Sequence, residues 1–400
     1  MKEPKIAIVH DFLNQQGGAE YVVAIIHEMY PTAPIYTSIY KKGSTWSHFN
    51  DADIRTSWMQ KIPFIYKFFK LFFFLYPLAF IFFDLKEYDI IISSSTAFAK
   101  GIRVRFGQEH ICYMHAPPRF LYRTEEYVKK EQINVLFKLF MPYLLTALRV
   151  WDQITMKRIT HIIANSENIK ERIQKTYNRY ALIIYPPVDT GRFSMSIKTK
   201  NYYLIVSRLV GYKRVDLAVE ACKKIGRKLI VIGSGSDINF IKEISTDNII
   251  VMGRQPDDVV EKMMQECRGF IFPGEEDFGI SPVEAQACGK PIIAYRAGGA
   301  LETVIEGKTG VFFNEQSVDS LVQAILSFEE IKWDKYFISR NAGRFSKDRF
   351  KAELQSIINN LVAISSDTQY QKYKLFFRDK RLQQEKKTIR ELILHYRNTM

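Results

Sequence analysis

The residues best suited to chemistry are two glutamates, Glu276 and Glu284, separated by seven positions within the run 273–285. The first is expected on the loop after a buried strand and the second inside the following helix. Between them, Gly279 and Ser281 would expose backbone N–H groups at the N-terminus of that helix, a favourable place for an anion. The spacing allows each carboxylate to bind hydroxyl groups at one end of a ligand whose phosphates lie on the amides between.

Two cations, Arg208 and Lys213, follow another predicted strand and suit the same kind of ligand. A diphosphate leaving group gains negative charge as its bond to the transferred group breaks, so fixed cations beside it lower the barrier. Arginine offers a planar fork that matches phosphate, and lysine offers a point charge. An ordinary solvated basic turn is the alternative interpretation, and Arg214, next in the sequence, is a further candidate.

A histidine and a pair of glycines are also candidates. His115 ends the apolar run 110–114 and is followed by Ala-Pro-Pro, which prevents helix continuation there. An imidazole at a strand end in a cleft is well placed to contact a ligand hydroxyl, although a lone histidine is more often structural. Gly17 and Gly18 allow the backbone to approach a ligand closely at the start of a helix, but any tight turn uses such glycines.

These residues need elements to position them, and the chain shows short apolar runs alternating with helical patterns. The predicted strands are 5–10, 89–93, 110–114, 160–164 and 181–185 in a first series, and 202–206, 228–232, 248–251, 269–272 and 291–294 in a second. The predicted helices are 19–29, 167–175, 215–224, 257–266, 282–288 and 317–327. The alternation indicates parallel strands with right-handed crossovers, and the two series predict two Rossmann-like domains facing each other across a cleft. Ligands bind at the carboxyl ends of such strands, where the candidate residues lie.

The composition limits the classes of partner and chemistry. The 57 Lys and Arg residues exceed the 43 Asp and Glu residues, and the net charge of +14 favours polyanions. Nucleic acid is not expected, because no RNP-like, zinc-finger or helix-turn-helix motif is present. The four cysteines lie far apart and no secretory signal pattern is seen, so a cytosolic location without disulfides is predicted. No cluster suggests a metal, and we interpret the DxD sequence at 51–53 as coincidental.

Two segments are candidates for contact with a membrane surface. The run 62–85 combines Phe and Tyr with lysines, which suits a bilayer interface. Its longest uncharged stretch, 71–83, is shorter than the roughly 20 residues that a spanning helix needs. Helices packed in the core of the first domain are the alternative. The tail 365–400 predicts a basic amphipathic helix for a membrane surface or partner protein, or else a terminal helix docked on its own domain.

Several motifs together resemble a known family. The run containing Glu276 and Glu284 resembles the E-x7-E motif of glycosyltransferase family 4, the retaining GT-B enzymes that use sugar nucleotides. The sequence SRLVGYKRVD resembles that family's Arg and Lys pair, GGAE resembles its first glycine turn, and MHAP resembles its catalytic-histidine segment. The similarity covers about residues 5–345. The strings HAPPRFLY and EEDFGISPVEAQACGKPIIAYRAGGALETV look closest to bacterial O-antigen mannosyltransferases.

The resemblance implies an α/β protein of GT-B fold with four parts. An acceptor-side Rossmann-like domain is expected at 1–188 and a sugar-nucleotide-binding Rossmann-like domain at 189–345. A helix crossing back to the first domain is expected at 346–364, followed by the basic helical tail at 365–400.

The resemblance also implies a retaining glycosyltransferase, peripheral on the inner face of the cytoplasmic membrane. It is expected to transfer a sugar, most of all mannose from GDP-mannose, to a lipid-diphosphate-linked oligosaccharide in bacterial O-antigen or surface polysaccharide synthesis. No cofactor or metal is expected besides the sugar nucleotide. Other polysaccharide-synthesis enzymes are candidate partners.

Residue roles follow from the same resemblance. Glu276 is expected to hold sugar hydroxyls and Glu284 the ribose, while Arg208 and Lys213 hold the diphosphate as part of the catalytic set. His115 is expected to hydrogen-bond the sugar near the reacting carbon and not to act as a nucleophile. The residues expected to bind the substrate or nucleotide are Gly17, Gly18, Phe278, Gly279, Ile280, Ser281 and Glu284.

Three other functions remain open from the sequence. A transferase of the same fold could use a UDP-sugar, since guanine and uracil are not distinguished by these motifs. A sugar-nucleotide epimerase or a phosphorylase could use a similar two-domain cleft. The third alternative is a non-catalytic, membrane-associated scaffold that works through its tail.

Overall fold

The computed structural model describes residues 3–122, 135–196 and 198–365, and the side chains of 135–140 and 364–365 are outside this description. The chain divides into two compact units. Of the described residues, the first unit comprises 3–122, 135–165, 169–184 and 351–365, and the second comprises 166–168, 185–196 and 198–350. The predicted basic tail lies outside the described residues apart from its first residue, so its helix stays a prediction.

The first unit is built on a parallel sheet with the strand order β3-β2-β1-β4-β5-β6-β7. Its strands are rich in Ile, and the inner strands are buried on both faces, as parallel strands covered by helices must be. They are β1 (Ile6–His10), β2 (Ile35–Thr37), β3 (Ile54–Thr56), β4 (Ile90–Ser95), β5 (Glu109–Met114), β6 (His161–Ala164) and β7 (Leu182–Ile183). Its helices are α1 (Gly18–Met29), α2 (Ile65–Phe68), α3 (Tyr76–Ile81), α4 (Arg119–Tyr122), α5 (Val135–Arg158) and α6 (Glu167–Tyr177).

The second unit is built on a parallel sheet with the order β10-β9-β8-β11-β12-β13. Its strands are β8 (Tyr203–Val206), β9 (Leu229–Ile232), β10 (Ile249–Gly253), β11 (Gly269–Phe272), β12 (Ile292–Tyr295) and β13 (Gly310–Phe313). The remaining helices are α7 (Val215–Lys224), α8 (Ile238–Ile244), α9 (Asp257–Glu266), α10 (Ile280–Ala287), α11 (Ala300–Thr303), α12 (Val318–Glu330), α13 (Lys335–Gly343) and α14 (Lys347–Ser365). Helix α14 begins in the second unit and continues into the first.

Successive residues along the strands of the second sheet pack into two separate hydrophobic cores, one on each face of the sheet. Tyr203 and Ile205 of β8 lie in the core beneath α7 and α12, whereas Leu204 lies in the core beneath α10. Successive side chains of a strand point to opposite faces, so a short run of apolar residues can fill both layers at once. This arrangement explains why the strands read as continuous apolar runs without an alternating pattern.

Both sheets reverse their strand order in the middle. The chain builds outward from β1 through β2 and β3, then returns to the other side of β1 with β4; β8 and β11 have the same relation. Loops that leave neighbouring strands at such a reversal separate and open a crevice for ligands. The predicted α/β fold with two Rossmann-like sheets is therefore confirmed.

The strands and helices predicted from sequence are present, and the differences have physical causes. The strands β2 and β3 are three residues long, too short to show a period, and were not predicted. Helix α10 begins at Ile280 and not at the predicted residue 282. Pro282 thereby lies in the first helical turn, where its missing N–H removes no hydrogen bond.

The aromatic run 62–85 forms short helices and turns with two kinds of side chain. Ile65, Tyr76 and Phe80 are buried in the core of the first unit. Other large apolar side chains of the run are exposed, and so are its lysines Lys67 and Lys70. Within the described part of the chain, no helix is both long and apolar enough to cross a membrane.

Candidate functional site

The loops after β8 and β11 carry the cations and the first glutamate. These strands are paired neighbours, with Gly269 opposite Tyr203, so their carboxyl ends lie at the same edge of the sheet. Lys213 Nζ forms an ion pair there with Glu276 Oε1. The two side chains are only 11% and 20% exposed, so the pair is largely shielded from water.

Tyr212 connects the two predicted cations. Arg208 is exposed, and its Nη2 donates a hydrogen bond of 2.8 Å to the Tyr212 hydroxyl. Lys213 Nζ lies 5.3 Å from the centre of the Tyr212 ring. Arg214 does not join this group, because its guanidinium contacts Asp216 at 3.4 Å and the Gln316 amide oxygen at 3.2 Å. The structure thus brings Arg208, Lys213 and Glu276 into one cluster.

Three glycines not predicted as site residues allow the loop of Glu276 to lie where it does. A Cβ on Gly274 would be 2.8 Å from the Lys213 Cα. A Cβ on Gly298, which has a φ of +57°, would be 2.2 Å from the Glu276 carbonyl oxygen. Gly299 donates its N–H to that same oxygen at 2.8 Å. The Gly298-Gly299 pair in the string RAGGALETV was the signal available in the sequence.

The glycines after β9 act in a similar way on the loop of Arg208. A Cβ on Gly233 would lie 1.8 Å from the Ser207 carbonyl oxygen, and one on Gly235 would lie 2.1 Å from the Leu209 carbonyl oxygen. The close approach of these glycines to the backbone of residues 207–209 explains why glycine is needed at both positions, and no ligand contact is required to explain it.

The N-terminus of α10 follows directly on the loop of Glu276. Gly279, with a φ of 87°, is the N-cap residue and no side chain caps the helix. The first amides of an α-helix, here those of Ile280 and Ser281, have no intrahelical acceptor and can bind an anion. The Phe278 ring is buried against Tyr185 and Phe345, so only the Phe278 backbone is available to a ligand.

Glu284 lies one helical turn beyond Ile280 in α10. Burial raises the pKa of its carboxyl to about 7; Arg192 opposes this rise, and Asp257 and Asp189 add to it. No hydrogen bond or ion pair within the described ranges joins Glu284 to Lys213 or Glu276. Glu284 is therefore placed on the same loop–helix segment as the cluster, without direct contact to it.

The remaining predicted site residues lie in the first unit. His115 directly follows β5, and its Nε2 is 2.8 Å from the Ser94 hydroxyl. Burial lowers the pKa of His115 to about 4, so the imidazole is neutral at physiological pH. Gly17 caps α1 and Gly18 begins it. A Cβ on Gly17 would lie 2.5 Å from Oε2 of Glu20.

Asp11, a residue missed by sequence reasoning, anchors the loop after β4. Its buried carboxylate accepts hydrogen bonds from the backbone N–H groups of Thr96, Ala97, Phe98 and Ala99 at 2.5 to 3.0 Å. Burial alone would raise the pKa of Asp11, but His10 and these hydrogen bonds together lower it. The His-Asp pair at the end of β1 was the signal available in the sequence.

The DxD sequence at 51–53 precedes β3 and does not follow a strand. The Asp53 carboxylate accepts hydrogen bonds from Arg55 Nη2 at 2.8 Å and Nε at 3.1 Å, so its role is explained by this contact within the protein. The parts of the chain that the structure describes hold no group of three His, Cys, Asp or Glu side chains suited to a metal ion.

The chain is similar in sequence to known glycosyltransferases. Residues 189–344 match the family model described as glycosyl transferases group 1. An uncharacterized glycosyltransferase of Methanocaldococcus jannaschii is 30% identical over 191 residues, 46% of this chain and 54% of that protein. A GDP-mannose-dependent alpha-(1-6)-phosphatidylinositol monomannoside mannosyltransferase of Mycolicibacterium smegmatis is 26% identical over 170 residues, 35% of this chain and 44% of that protein. The chain spans about half the length of these relatives.

Solved structures resemble the chain over most of its length. Sucrose-phosphate synthase from Thermosynechococcus elongatus aligns with a TM-score of 0.68 at 16% identity, over 90% of this chain and 100% of the other. Anabaena HepE in complex with UDP and glucose aligns with a TM-score of 0.62 at 18% identity, over 89% and 100%. At these identities the likeness concerns the fold. The chain therefore has the GT-B fold, and its residues 189–344 match the family model of glycosyl transferases group 1.

Proposed function

We propose that the chain is a retaining glycosyltransferase that moves mannose from GDP-mannose onto a lipid-diphosphate-linked oligosaccharide. The observation that carries this proposal is the cluster of Arg208, Lys213 and Glu276 at the strand reversal of the second sheet. The cluster lies inside the segment that matches the family. The mannose and guanine assignments draw support from the Mycolicibacterium relative, named as GDP-mannose-dependent, and from an alpha-1,3/1,6-mannosyltransferase of Kluyveromyces lactis that is 24% identical over 249 residues.

The ion pair between Lys213 and Glu276 suggests how the donor is received. An incoming diphosphate replaces Glu276 as the partner of Lys213, and the released carboxylate accepts hydrogen bonds from sugar hydroxyls. Arg208 adds a second cation to the same diphosphate. As the glycosidic bond breaks, charge grows on the diphosphate, and these cations stabilise the transition state more than the ground state.

The start of α10 suits the rest of the nucleotide. In the proposal, the Ile280 and Ser281 amides bind phosphate oxygens and Glu284 accepts hydrogen bonds from the ribose hydroxyls. An ionised carboxylate accepts such bonds through both oxygens and more strongly than a protonated carboxyl, so donor binding is expected to weaken as pH falls below the pKa of Glu284, about 7.

His115 supplies a hydrogen bond to the sugar in this proposal. Its low pKa keeps the imidazole neutral, so it offers one N–H and no full positive charge. Gly17 and Gly18 complete the proposed substrate contacts of the first unit at the start of α1.

The proposed location of the protein draws support from the exposed side chains of the run 62–85. The exposed side chains Phe64, Phe68, Leu71, Leu78 and Phe82, with nearby lysines, form what we call the aromatic surface. Aromatic rings and lysine ammonium groups suit the headgroup region of an anionic bilayer. This surface supports the proposal that the protein lies on the inner face of the cytoplasmic membrane. Its proposed role in bacterial O-antigen or surface polysaccharide synthesis, with a lipid-linked acceptor and other enzymes of that synthesis as partners, rests on the sequence resemblance.

Thermal unfolding with a panel of GDP- and UDP-sugars tests the donor, because a ligand that binds the folded state raises its apparent stability. GDP-mannose is expected to stabilise the chain, Lys213→Ala is expected to abolish the shift, and Lys242→Ala, at an exposed lysine of the same unit, should keep it. Stabilisation by UDP-sugars alone would refute the assignment of GDP-mannose as the donor. The assignment of the chain as a glycosyltransferase would not be affected.

Product analysis distinguishes the other functions. Conversion of the sugar nucleotide without an acceptor would indicate an epimerase. Biological activity that survives both Lys213→Ala and Glu276→Ala would indicate a scaffold.

A further inference from the structure

A row of buried polar side chains runs along the carboxyl edge of the first sheet to His115. His10 ends β1 and lies opposite Ser94 of the neighbouring strand β4. Its Nδ1 is 3.0 Å from the Ser94 carbonyl oxygen and 3.2 Å from the Ser94 hydroxyl. That hydroxyl is in turn 2.8 Å from Nε2 of His115.

Glu20 closes the other end of this row. Its Oε1 lies 3.9 Å from His10 Nε2 and accepts a hydrogen bond from Gln15 at 2.9 Å. Burial would raise the pKa of Glu20, but the nearby His10 and the hydrogen bond from Gln15 together lower it. Glu20 is therefore a carboxylate, buried at 1% exposure beside the N-terminus of α1.

The acceptors in the row fix where its hydrogens lie. A carbonyl oxygen only accepts, so His10 Nδ1 carries a hydrogen toward Ser94. Among the described residues, the buried Ser94 hydroxyl has only His10 Nδ1 and His115 Nε2 as hydrogen-bond neighbours. Because His10 Nδ1 already carries a hydrogen, the Ser94 hydroxyl directs its own hydrogen to His115 Nε2.

We propose that Glu20, His10 and Ser94 are positioning residues that hold His115 as the neutral tautomer with its hydrogen on Nδ1. Nδ1 has no hydrogen-bond partner among the residues that the structure describes, so it is the atom that presents a donor to a ligand oxygen. This inference rests on the proposed function only for the identity of that ligand, because the hydrogen position is a property of the unliganded chain.

The inference also explains why the turn before α1 has glycine at position 17. A Cβ there would lie 2.5 Å from Oε2 of Glu20, the oxygen that does not contact Gln15 or His10. A larger residue at Gly17 would push the carboxylate away from His10. The glycine thus serves the hydrogen-bond row within the protein.

Nitrogen-15 and carbon-13 NMR of the full chain with labelled histidine reads the tautomer directly, with the His115 signal assigned from its loss in His115→Gln. The wild-type spectrum is expected to show His115 protonated on Nδ1. Protonation on Nε2 in the wild type would overturn the proposal without any variant. Ser94→Ala is expected to move His115 toward the Nε2-protonated form, and Ser94→Thr is expected to restore the wild-type form.

The chain offers a matched control one residue away. Ser93 makes an equivalent buried hydrogen bond of 2.7 Å, to Nε2 of His110 on the same strand as the run leading to His115. Ser93→Ala should disturb packing as much as Ser94→Ala does, yet leave the His115 tautomer unchanged. Equal effects of the two variants on the His115 signal would mean a merely structural role.

Transfer kinetics separate this inference from the proposed function. Ser94→Ala is expected to lower kcat about tenfold with a smaller change in KM, as loss of one oriented hydrogen bond predicts, and Ser93→Ala is not. If the tautomer is as proposed but His115→Gln transfers sugar normally, the role of His115 in transfer fails and the positioning row stands. If the His115 tautomer shifts in Ser94→Ala but kcat is unchanged, the inference that this tautomer supports sugar transfer is wrong.

Discussion

The two sheets reverse their strand order at comparable places, but the side chains gathered at the two edges differ in kind. At the first edge, His10, Ser94 and His115 are joined by hydrogen bonds within the fold. At the second edge, Lys213 and Glu276 form an ion pair, and the adjacent Arg208 is exposed. One edge holds a group in a fixed orientation, and the other holds charges that can change partners.

This difference has an energetic basis. A buried hydrogen-bonded network cannot be rearranged without leaving polar groups unsatisfied, so it suits a donor whose direction must not vary. The Lys213–Glu276 ion pair can exchange one partner without leaving a charge unpaired, because an incoming anion takes the place of Glu276 beside Lys213 and the released carboxylate accepts hydrogen bonds from the ligand. We therefore expect substitutions at the second edge to alter affinity and rate, and substitutions at the first edge to alter rate.

The largest effect is expected for Glu276→Gln. Loss of the carboxylate should lower kcat by about 10²–10³-fold, while the nucleoside diphosphate product binds more tightly because Lys213 no longer has an internal partner. Initial rates and titration calorimetry with the nucleoside diphosphate measure the two changes. The exposed neighbour Glu275 provides the control as Glu275→Gln, and weaker product binding in Glu276→Gln would contradict the partner exchange.

Gly298→Ala tests whether backbone contact positions Glu276. The added Cβ would lie 2.2 Å from the Glu276 carbonyl oxygen, so the loop must shift, and kcat/KM is expected to fall about 10²-fold. Gly307 also has a positive φ, of +71°, but a Cβ there meets nothing within 4 Å. Gly307→Ala should therefore destabilise the fold by about 1 kcal/mol and leave the rate unchanged. Equal rates for the two variants would exclude the positioning role of Gly298.

Glu284→Gln should separate stability from binding. The pKa of Glu284 is raised from its unfolded value of 4.5 to about 7, so the ionised side chain opposes folding fully above pH 7 and not at all below its unfolded pKa. The variant is expected to gain on the order of 1–3 kcal/mol of unfolding free energy at about pH 8, with the gain disappearing toward about pH 4, and to bind nucleotide about tenfold more weakly. Urea denaturation at several pH values measures the gain, and a gain independent of pH would point to a cause other than this carboxyl.

The smallest effect is expected at the aromatic surface of the first unit. Phe82→Ser should weaken binding to vesicles containing anionic lipid by about 1 kcal/mol, as partial burial of one ring predicts. Vesicle sedimentation measures this change. Tyr336→Ser, at a similarly exposed ring of the second unit, is the control. Equal losses for the two variants would remove the distinction between the surfaces.

Part of this arrangement could be predicted from sequence, because it is encoded locally. The apolar runs predict the strands, and residues within a few positions of a strand end, such as Arg208, Glu276 and His115, are thereby placed at the carboxyl edge of a sheet. The ion pair between Lys213 and Glu276 could not be predicted from local patterns. It depends on β8 and β11 being neighbours in the sheet, which only the strand order of the structure shows.

Other features depend on contacts between distant segments and gave little signal. The alignment of His10 with Ser94 is a matter of strand register across more than eighty residues, which no local pattern determines. The role of Gly298 follows from the space left by a loop that precedes it in the chain. The exposed side chains of the aromatic run 62–85 were also not predicted, because periodicity did not show which rings would be buried in the core and which would remain at the surface.

The aromatic surface has a practical consequence for work in aqueous buffer. Rings such as Phe64, 77% exposed, leave apolar area that water solvates poorly. Precipitating salts such as sulfate strengthen apolar association while they screen the repulsion between lysines, so they should drive copies of the chain together. Preparations are therefore expected to remain dispersed in mild detergent at moderate chloride and to self-associate in ammonium sulfate.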